Sequence, residues 1–360
     1  MGATLQTIAT ELGVSRSTVS NAYSRPDQLS PELRARILAT AERLGYPGPH
    51  PTARSLRRGR VGAIGVLFTA NLTAAFTDPF AVAYLRGLAE VAEKRDTSLL
   101  LIPVSYADTE AALRTVRNAA VDAFCVYCVP EWHRALEVIR ARDLPVVAGD
   151  DPALLEPGSL WVGIDERGAA RRIGEHVAGL GHRRIAIVAD WVTEPGRTEV
   201  VTGLTPDQLR YYVSGERIRG FHDALSAAGV AWDDITLINA AGNTRVAGAE
   251  AAAHALDRRD RATAVLATTD VLALGVLDAL AARGQRPGRD VSVTGFDDIP
   301  EAATVGLTTI RQPSVERGRA VGELLFDPPE DPAARQRVLP TSLVVRATTG
   351  PVPTPEKETP

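Results

Sequence analysis

The chain has 360 residues, 45 % of them hydrophobic and 5 % aromatic, with a net charge of −4, which is room for two or three ordinary globular domains. No apolar run reaches the roughly 18–20 residues of a membrane-spanning helix, and the N-terminus lacks a positive stretch followed by an apolar one. The reading is a cytoplasmic protein without membrane contact. The charge is uneven: residues 1–60 hold nine Arg against four acids, a surplus of five that leaves the rest of the chain with a deficit of nine. A basic head on an acidic body suits a nucleic-acid contact at one end, or a solvated basic face.

Leu5, Ile8, Ala9 and Leu12 recur at helical spacing. They predict a short helix with Thr4 as N-cap and Gly13 as terminator. A second helix starts after Ser15, its N-cap, with Arg16, Ser17 and Thr18 in the first turn and a Val14–Val19 hydrophobic staple. With Val19, Ala22 and Tyr23 inward, Arg16, Ser17, Ser20 and Asn21 are expected to face outward. Short polar and Arg side chains near a helix N-terminus are what a recognition helix presents to the major groove, where Arg pairs with guanine and Asn with adenine. Ser30 and Pro31 open a third helix, with Leu33, Ile37, Ala41 and Leu44 as its stripe. Three short helices need not bind DNA. After Tyr46, Pro47, Pro49 and Pro51 break regular structure. Thr52 to Gly59 then has helix formers for barely two turns, a marginal helix or a flexible basic tether.

From Val61 the pattern alternates. Strands are predicted at Val61–Phe68, Ser98–Val104, Ala123–Val129, Val146–Ala148, Ile185–Ala189, Ala264–Ala267 and Val291–Gly295. Helices are predicted at Ala81–Lys94, Glu110–Asn118, Trp132–Arg142, Gly168–Leu180, Ile218–Ala228 and Ala247–Asp257. Such alternation indicates parallel sheets covered on both faces, here two lobes with a ligand cleft at the carboxyl ends of the strands. Cys125 and Cys128, the only cysteines, fall in an apparent buried strand. Their side chains are expected on opposite faces, as core packing rather than a metal or redox pair. There is no dinucleotide fingerprint, P-loop or nucleophile elbow, and the six His lack metal spacing. No enzyme, cofactor or metal is expected.

The string from Leu5 to Asn21 (LQTIATELGVSRSTVSN), with LSPE at Leu29–Glu32 and LGY at Leu44–Tyr46, resembles the headpiece of the LacI/GalR repressor family. So, in family order, do GHRRIA at Gly181–Ala186, ERIRGF at Glu216–Phe221, Thr269-Asp270, VTGFDD at Val293–Asp298, LTTIRQP at Leu307–Pro313 and LPTSLVVR at Leu339–Arg346. The resemblance implies an N-terminal all-α helix-turn-helix headpiece plus an α/β periplasmic-binding-protein-like effector domain of two parallel-sheet lobes. The expected divisions are a headpiece at 1–46, a hinge at 47–60, a ligand-binding and dimerisation domain at 61–348 and a disordered tail at 349–360.

The DNA-binding residues implied are Thr4, Ser15, Arg16, Ser17, Thr18, Ser20 and Asn21, with Arg54, Leu56, Arg57 and Arg58 in the hinge. Leu56 matches the family's minor-groove wedge, although His50 stands where the family often has Asn. The ligand residues implied are Phe80, Asp150, Arg217, Thr269 and Asp297. Thr269 stands where sugar-binding members often have Asn, and Gly242-Asn243-Thr244 lacks an aromatic ring found over the sugar in the lac repressor. The long connection Asp190 to Glu216, with Trp191, Tyr211 and Tyr212, is expected to enter the cleft. The expected function is a repressor of operator DNA, a homodimer because the proline-rich tail cannot form a tetramerising helix. Its effector is a sugar or related metabolite; alternatively, a nucleoside or purine. A solute-binding protein would share the body but not the headpiece.

Overall fold

The computed structural model describes residues 3–48, 59–68, 72–104, 109–130, 133–152, 159–258 and 261–353. Two compact units separate, the first spanning Met1–Ala63 with Ala120–Asp122 and the second holding the remainder.

The first unit contains α1 (Leu5–Leu12), α2 (Arg16–Ser24) and α3 (Pro31–Arg43). Each starts on a side-chain cap: Thr7 N donates to Thr4, Thr18 N to Ser15 and Leu33 N to Ser30. Gly13 closes α1 at φ 64°, the left-handed region that a side chain disfavours. Leu5, Ile8, Val19, Ala22, Ile37 and Ala41 form the core, with Val14 packed against it.

In the second unit the strands are β1 (Ala63–Phe68), β2 (Ser98–Pro103), β3 (Ala123–Tyr127), β4 (Val146–Ala148), β5 (Leu160–Ile164), β6 (Ile185–Asp190), β7 (Glu199–Val201), β8 (Ile235–Ala240), β9 (Ala264–Ala267), β10 (Ser292–Thr294), β11 (Thr309–Arg311), β12 (Gln336–Leu339) and β13 (Ser342–Val344). The helices are α4 (Ala74–Thr77), α5 (Pro79–Lys94), α6 (Thr109–Asn118), α7 (Ala135–Arg140), α8 (Glu166–Gly179), α9 (Tyr212–Ala227), α10 (Arg245–Leu256), α11 (Asp270–Ala282), α12 (Pro300–Thr304) and α13 (Ser314–Phe326). Sheet one runs β12-β5-β4-β3-β1-β2, and sheet two β10-β9-β6-β8-β7. The central pairs are parallel, whereas β7 joins β8 antiparallel. Sheet two is therefore mixed rather than wholly parallel, because the long 190–216 connection folds back as an edge strand. Asn239, fully buried on β8, holds that fold-back by accepting from Val192 N and Thr193 N.

The chain passes between the lobes after β5, after β11 and after β12, and β11 pairs antiparallel with β13 at this junction. Helix pairs on each lobe approach closely at glycines. A Cβ on Gly318 of α13 would lie 1.9 Å from the Tyr84 carbonyl of α5, and one on Gly220 of α9 would lie 2.2 Å from the Arg167 carbonyl of α8.

Two expectations are corrected here. The strand at the cysteines ends at Tyr127, and Cys128 turns off it at φ 52°, so the thiols are not a strand pair. The tail does not begin at 349. Thr349 bonds His176 and Thr308, Gly350 N donates to Ser292, and Val352 N donates to the Leu180 carbonyl. Residues 354–360 lie outside the described residues. No described helix is long and apolar enough to cross a membrane.

Candidate functional site

On the headpiece, Thr4, Ser15, Arg16 and Ser17 are exposed, and Thr18 and Asn21 are half-buried. Ser15 serves α2 as its cap and also bonds the Ser17 and Thr18 hydroxyls. Asn21 Nδ2 donates to Gln28 at 3.4 Å. Ser20 departs from the expectation: it is buried. One residue on from Val19, it lies about 100° round the helix, on the flank of the inward stripe rather than the outer face. Arg54, Leu56, Arg57 and Arg58 lie outside the described residues.

Between the lobes lies a cavity of about 80 Å³. Phe80, Asp150, Arg217, Thr269 and Asp297 all line it. Each lobe contributes an arginine from a helix. Arg217 on α9 is 4 % exposed and lies with its Cζ 3.7 Å from the Phe296 ring centre. It donates from Nε to Glu166 Oε2 at 2.7 Å and from Nη1 to the Thr268 carbonyl at 2.5 Å, and stands 3.8 Å from Asp297. Burial works against its charge, and Glu166 and Asp297 overcome that, so the guanidinium holds its proton more tightly than usual.

Arg317 on α13, 1 % exposed, donates from Nη2 to Asp150 Oδ1 at 2.7 Å and to the Gly149 carbonyl, and from Nη1 to Gln312 at 3.3 Å. Its Cζ is 5.9 Å from the Phe80 ring centre. Asp150 also accepts from Cys128 N at 2.5 Å. The left-handed turn at Cys128 aims that amide at Asp150.

Asp297 accepts from Gln312 Nε2 at 2.6 Å. Burial pushes its carboxyl well up, against the pull of Arg217 and with Asp270 and Asp78 adding to the rise. Asp190, at the end of β6, is raised to about 6 by burial, with the Ser214 hydroxyl opposing. Thr269 is largely committed: it caps α11 at Leu272 N and donates to Asn243 Oδ1 at 2.7 Å. Phe80 stacks on Tyr127 at 6.1 Å between ring centres, and Tyr211 lies 5.6 Å from Trp191. The site thus offers carboxyl oxygens as acceptors, guanidiniums engaged by acids, and aromatic surface. That suits a neutral ligand bearing hydroxyl groups.

Sequence reasoning did not select Asp78, Tyr127, Asp190, Gln312 or Arg317 for this cavity. The usable signals were positional: Asp190 follows a strand, and Gln312 lies in the LTTIRQP segment. Arg317 gave none, being one of two arginines in a short amphipathic stretch.

Residues 4–48 match the family described as bacterial regulatory proteins, lacI family, and residues 175–349 match the periplasmic binding protein-like domain. An HTH-type transcriptional regulator of Mycolicibacterium smegmatis is 42 % identical, with 97 % of each chain covered. This chain belongs to the LacI family. A LacI-family regulator from Corynebacterium glutamicum superposes with a TM-score of 0.73 at 36 % identity, covering 96 % of this chain and 98 % of that one. A structure of the regulator CelR in complex with cellobiose gives 0.65 at 25 % identity, covering 96 % and 99 %. As a LacI-family member the chain is a DNA-binding transcription regulator with a ligand-binding domain, and not an enzyme.

Proposed function

We propose that the protein is a homodimeric repressor whose operator affinity is set by a small neutral polyhydroxylated effector, a sugar or a related metabolite, held in the interlobe cavity. The observation that carries this reading is the convergence of Asp150, Asp190 and Asp297 with two acid-engaged arginines and the Phe80 and Tyr127 rings in one cleft. Carboxylates accept strongly from hydroxyls, and rings cover the apolar face of a sugar. An anionic ligand would meet an excess of acids. The cellobiose bound by CelR is of the favoured class.

Arg16, Ser17 and Asn21 read base edges, with Thr4, Ser15 and Thr18 supporting through the backbone or phosphates. Arg54, Arg57 and Arg58 supply charge near the phosphates, and Leu56 wedges into the minor groove. The test is selection of a binding site from a random duplex pool, followed by titration of the complex with neutral sugars, polyols and nucleosides. A two-fold-related site is expected, with affinity changed by a sugar or polyol. Arg16→Ala should cost roughly 1–3 kcal/mol at one base position. An unchanged ranking of site variants in Arg16→Ala, or a response only to nucleosides, overturns the corresponding half.

A further inference from the structure

Arg317 is a fully buried arginine on the cavity wall whose Nε–H has no hydrogen-bond partner among the described residues. A buried, unpaired guanidinium donor costs free energy unless something supplies an oxygen. Glu166 is also buried, and its Oε1 lacks a hydrogen-bond partner among the described residues, standing 4.0 Å from Arg317 Nη1. The remaining bonds hold Arg317 in place. Asp150 and Gly149 fix one edge of the guanidinium, and Gln312 fixes the other.

The arrangement echoes the station in the other lobe. There Arg217 is fixed by Glu166 and lies over Phe296; here Arg317 is fixed by Asp150 and lies near Phe80. Glu166 connects the two, with Oε2 on Arg217 and Oε1 toward Arg317. A guanidinium donor left over on the cavity wall suits a ligand hydroxyl, whose oxygen accepts from it.

We propose that Arg317 is a specificity-determining residue, reading one hydroxyl of the effector from the first lobe while Arg217 and Asp297 read the opposite edge from the second. This rests on the effector reading above and narrows it: the effector carries hydroxyls on two opposite edges. A ligand polar on one edge alone leaves one station unpaired and is rejected.

The test uses the full-length protein and calorimetry with D-glucose, D-galactose, D-ribose and adenosine, each beside its mono-deoxy analogues. The wild type should bind at least one parent about tenfold or more tightly than one of its deoxy analogues, because a site built for a hydroxyl rejects its absence. In Arg317→Met that ratio should fall to within threefold of unity, while ratios at the other positions persist. A merely structural arginine would weaken every probe alike and leave all ratios intact, which overturns the assignment. Should Arg317→Met not melt cooperatively, the charge-balanced Asp150→Asn/Arg317→Met protein carries the comparison, with Asp150→Asn as its reference. A ratio further reduced in the double variant than in Asp150→Asn supports Arg317; the same ratios in both proteins overturn it. If no parent probe binds the wild type, the effector reading fails and the assignment with it. If probes bind and Arg317→Met keeps every ratio, the effector reading stands and only Arg317 is excluded.

Discussion

Asp190 shows how a single residue of the cleft trades stability for recognition. Burial raises its carboxyl to about 6, from an ordinary value near 4. Below about pH 4 both the folded and unfolded chains hold the proton, so the residue contributes no penalty. Between about 4 and 6 the folded chain keeps a proton that the unfolded chain has released. The folded state then binds more protons, and stability falls as pH rises across that window. Above it the ionised carboxylate is a fixed cost. Asp190 keeps part of its surface in solvent, so the cost is about 1–2 kcal/mol, less than the full shift converts to. Asp190→Asn removes the titration and retains an oxygen for the Ser214 hydroxyl. Its melting temperature should exceed the wild type's by several degrees at pH 8 and match it at pH 4. Scanning calorimetry at both values checks this, and an equal difference at the two pH values contradicts it. The sequence could point to such a residue only by its place after a strand. Its burial depends on β8 and α9, which lie far along the chain. The headpiece caps were legible because each is a local event: Thr4, Ser15 and Ser30 bond amides three residues on. Ser20 was misread because helical spacing alone does not say how wide the buried stripe is.

At the scale of elements, what positions the arginines is the close contact of helix pairs. Gly318, next to Arg317, lets α13 meet α5 backbone to backbone, and Gly87 of α5 does the same from the other side, a Cβ there falling 1.8 Å from the Val315 carbonyl. Interiors packed this tightly do not absorb a methyl without moving. Gly318→Ala should therefore push α13 off α5, lower stability by about 1–3 kcal/mol, and carry Arg317 away from Asp150 with loss of effector affinity. Gly179, on α8, has nothing within 4 Å of its Cβ position. Gly179→Ala should leave binding unchanged and stabilise by about 0.4–1 kcal/mol. Melting curves and effector titrations on the pair test this, and equal effects at the two glycines refute it. Helix α13 was not legible as an element because its glycines and alternating charges blur the apolar stripe. Strand β8 was missed for a related reason. Its buried Asn239 reads as a loop residue, yet in the fold that amide anchors residues 192 and 193 and so shapes the long connection. Strands β5, β12 and β13 are short runs of three to five residues whose partners are distant in sequence, so no local period marks them.

For the whole molecule, the effector is proposed to act through the lobes and not through the DNA surface. The chain crosses between the lobes at three places. Glu166 lies just after the first crossing and Gln312 just after the second, and both bond the cavity arginines. A ligand that engages Arg217 and Asp297 on one side and Arg317 and Asp150 on the other favours one setting of the lobes over another. It can shift the equilibrium only by its difference in affinity for the two settings. If those settings differ in how the two hinge segments of a dimer are spaced, operator and effector are linked. Each then changes the other's affinity by the same factor. Two variants separate the ends of this coupling. Asp297→Ala removes the cavity acceptor, so effector binding and response should fall at least tenfold while ligand-free operator binding persists. Leu56→Ala removes the wedge, so specific operator binding should fall while the free protein binds effector as before. Calorimetry on Leu56→Ala and operator titration on Asp297→Ala measure the two halves. A folded Asp297→Ala protein that keeps wild-type effector response would show that the effector is read elsewhere. Unequal factors in the two directions for the wild type would break the linkage itself, because the four binding free energies must close a cycle.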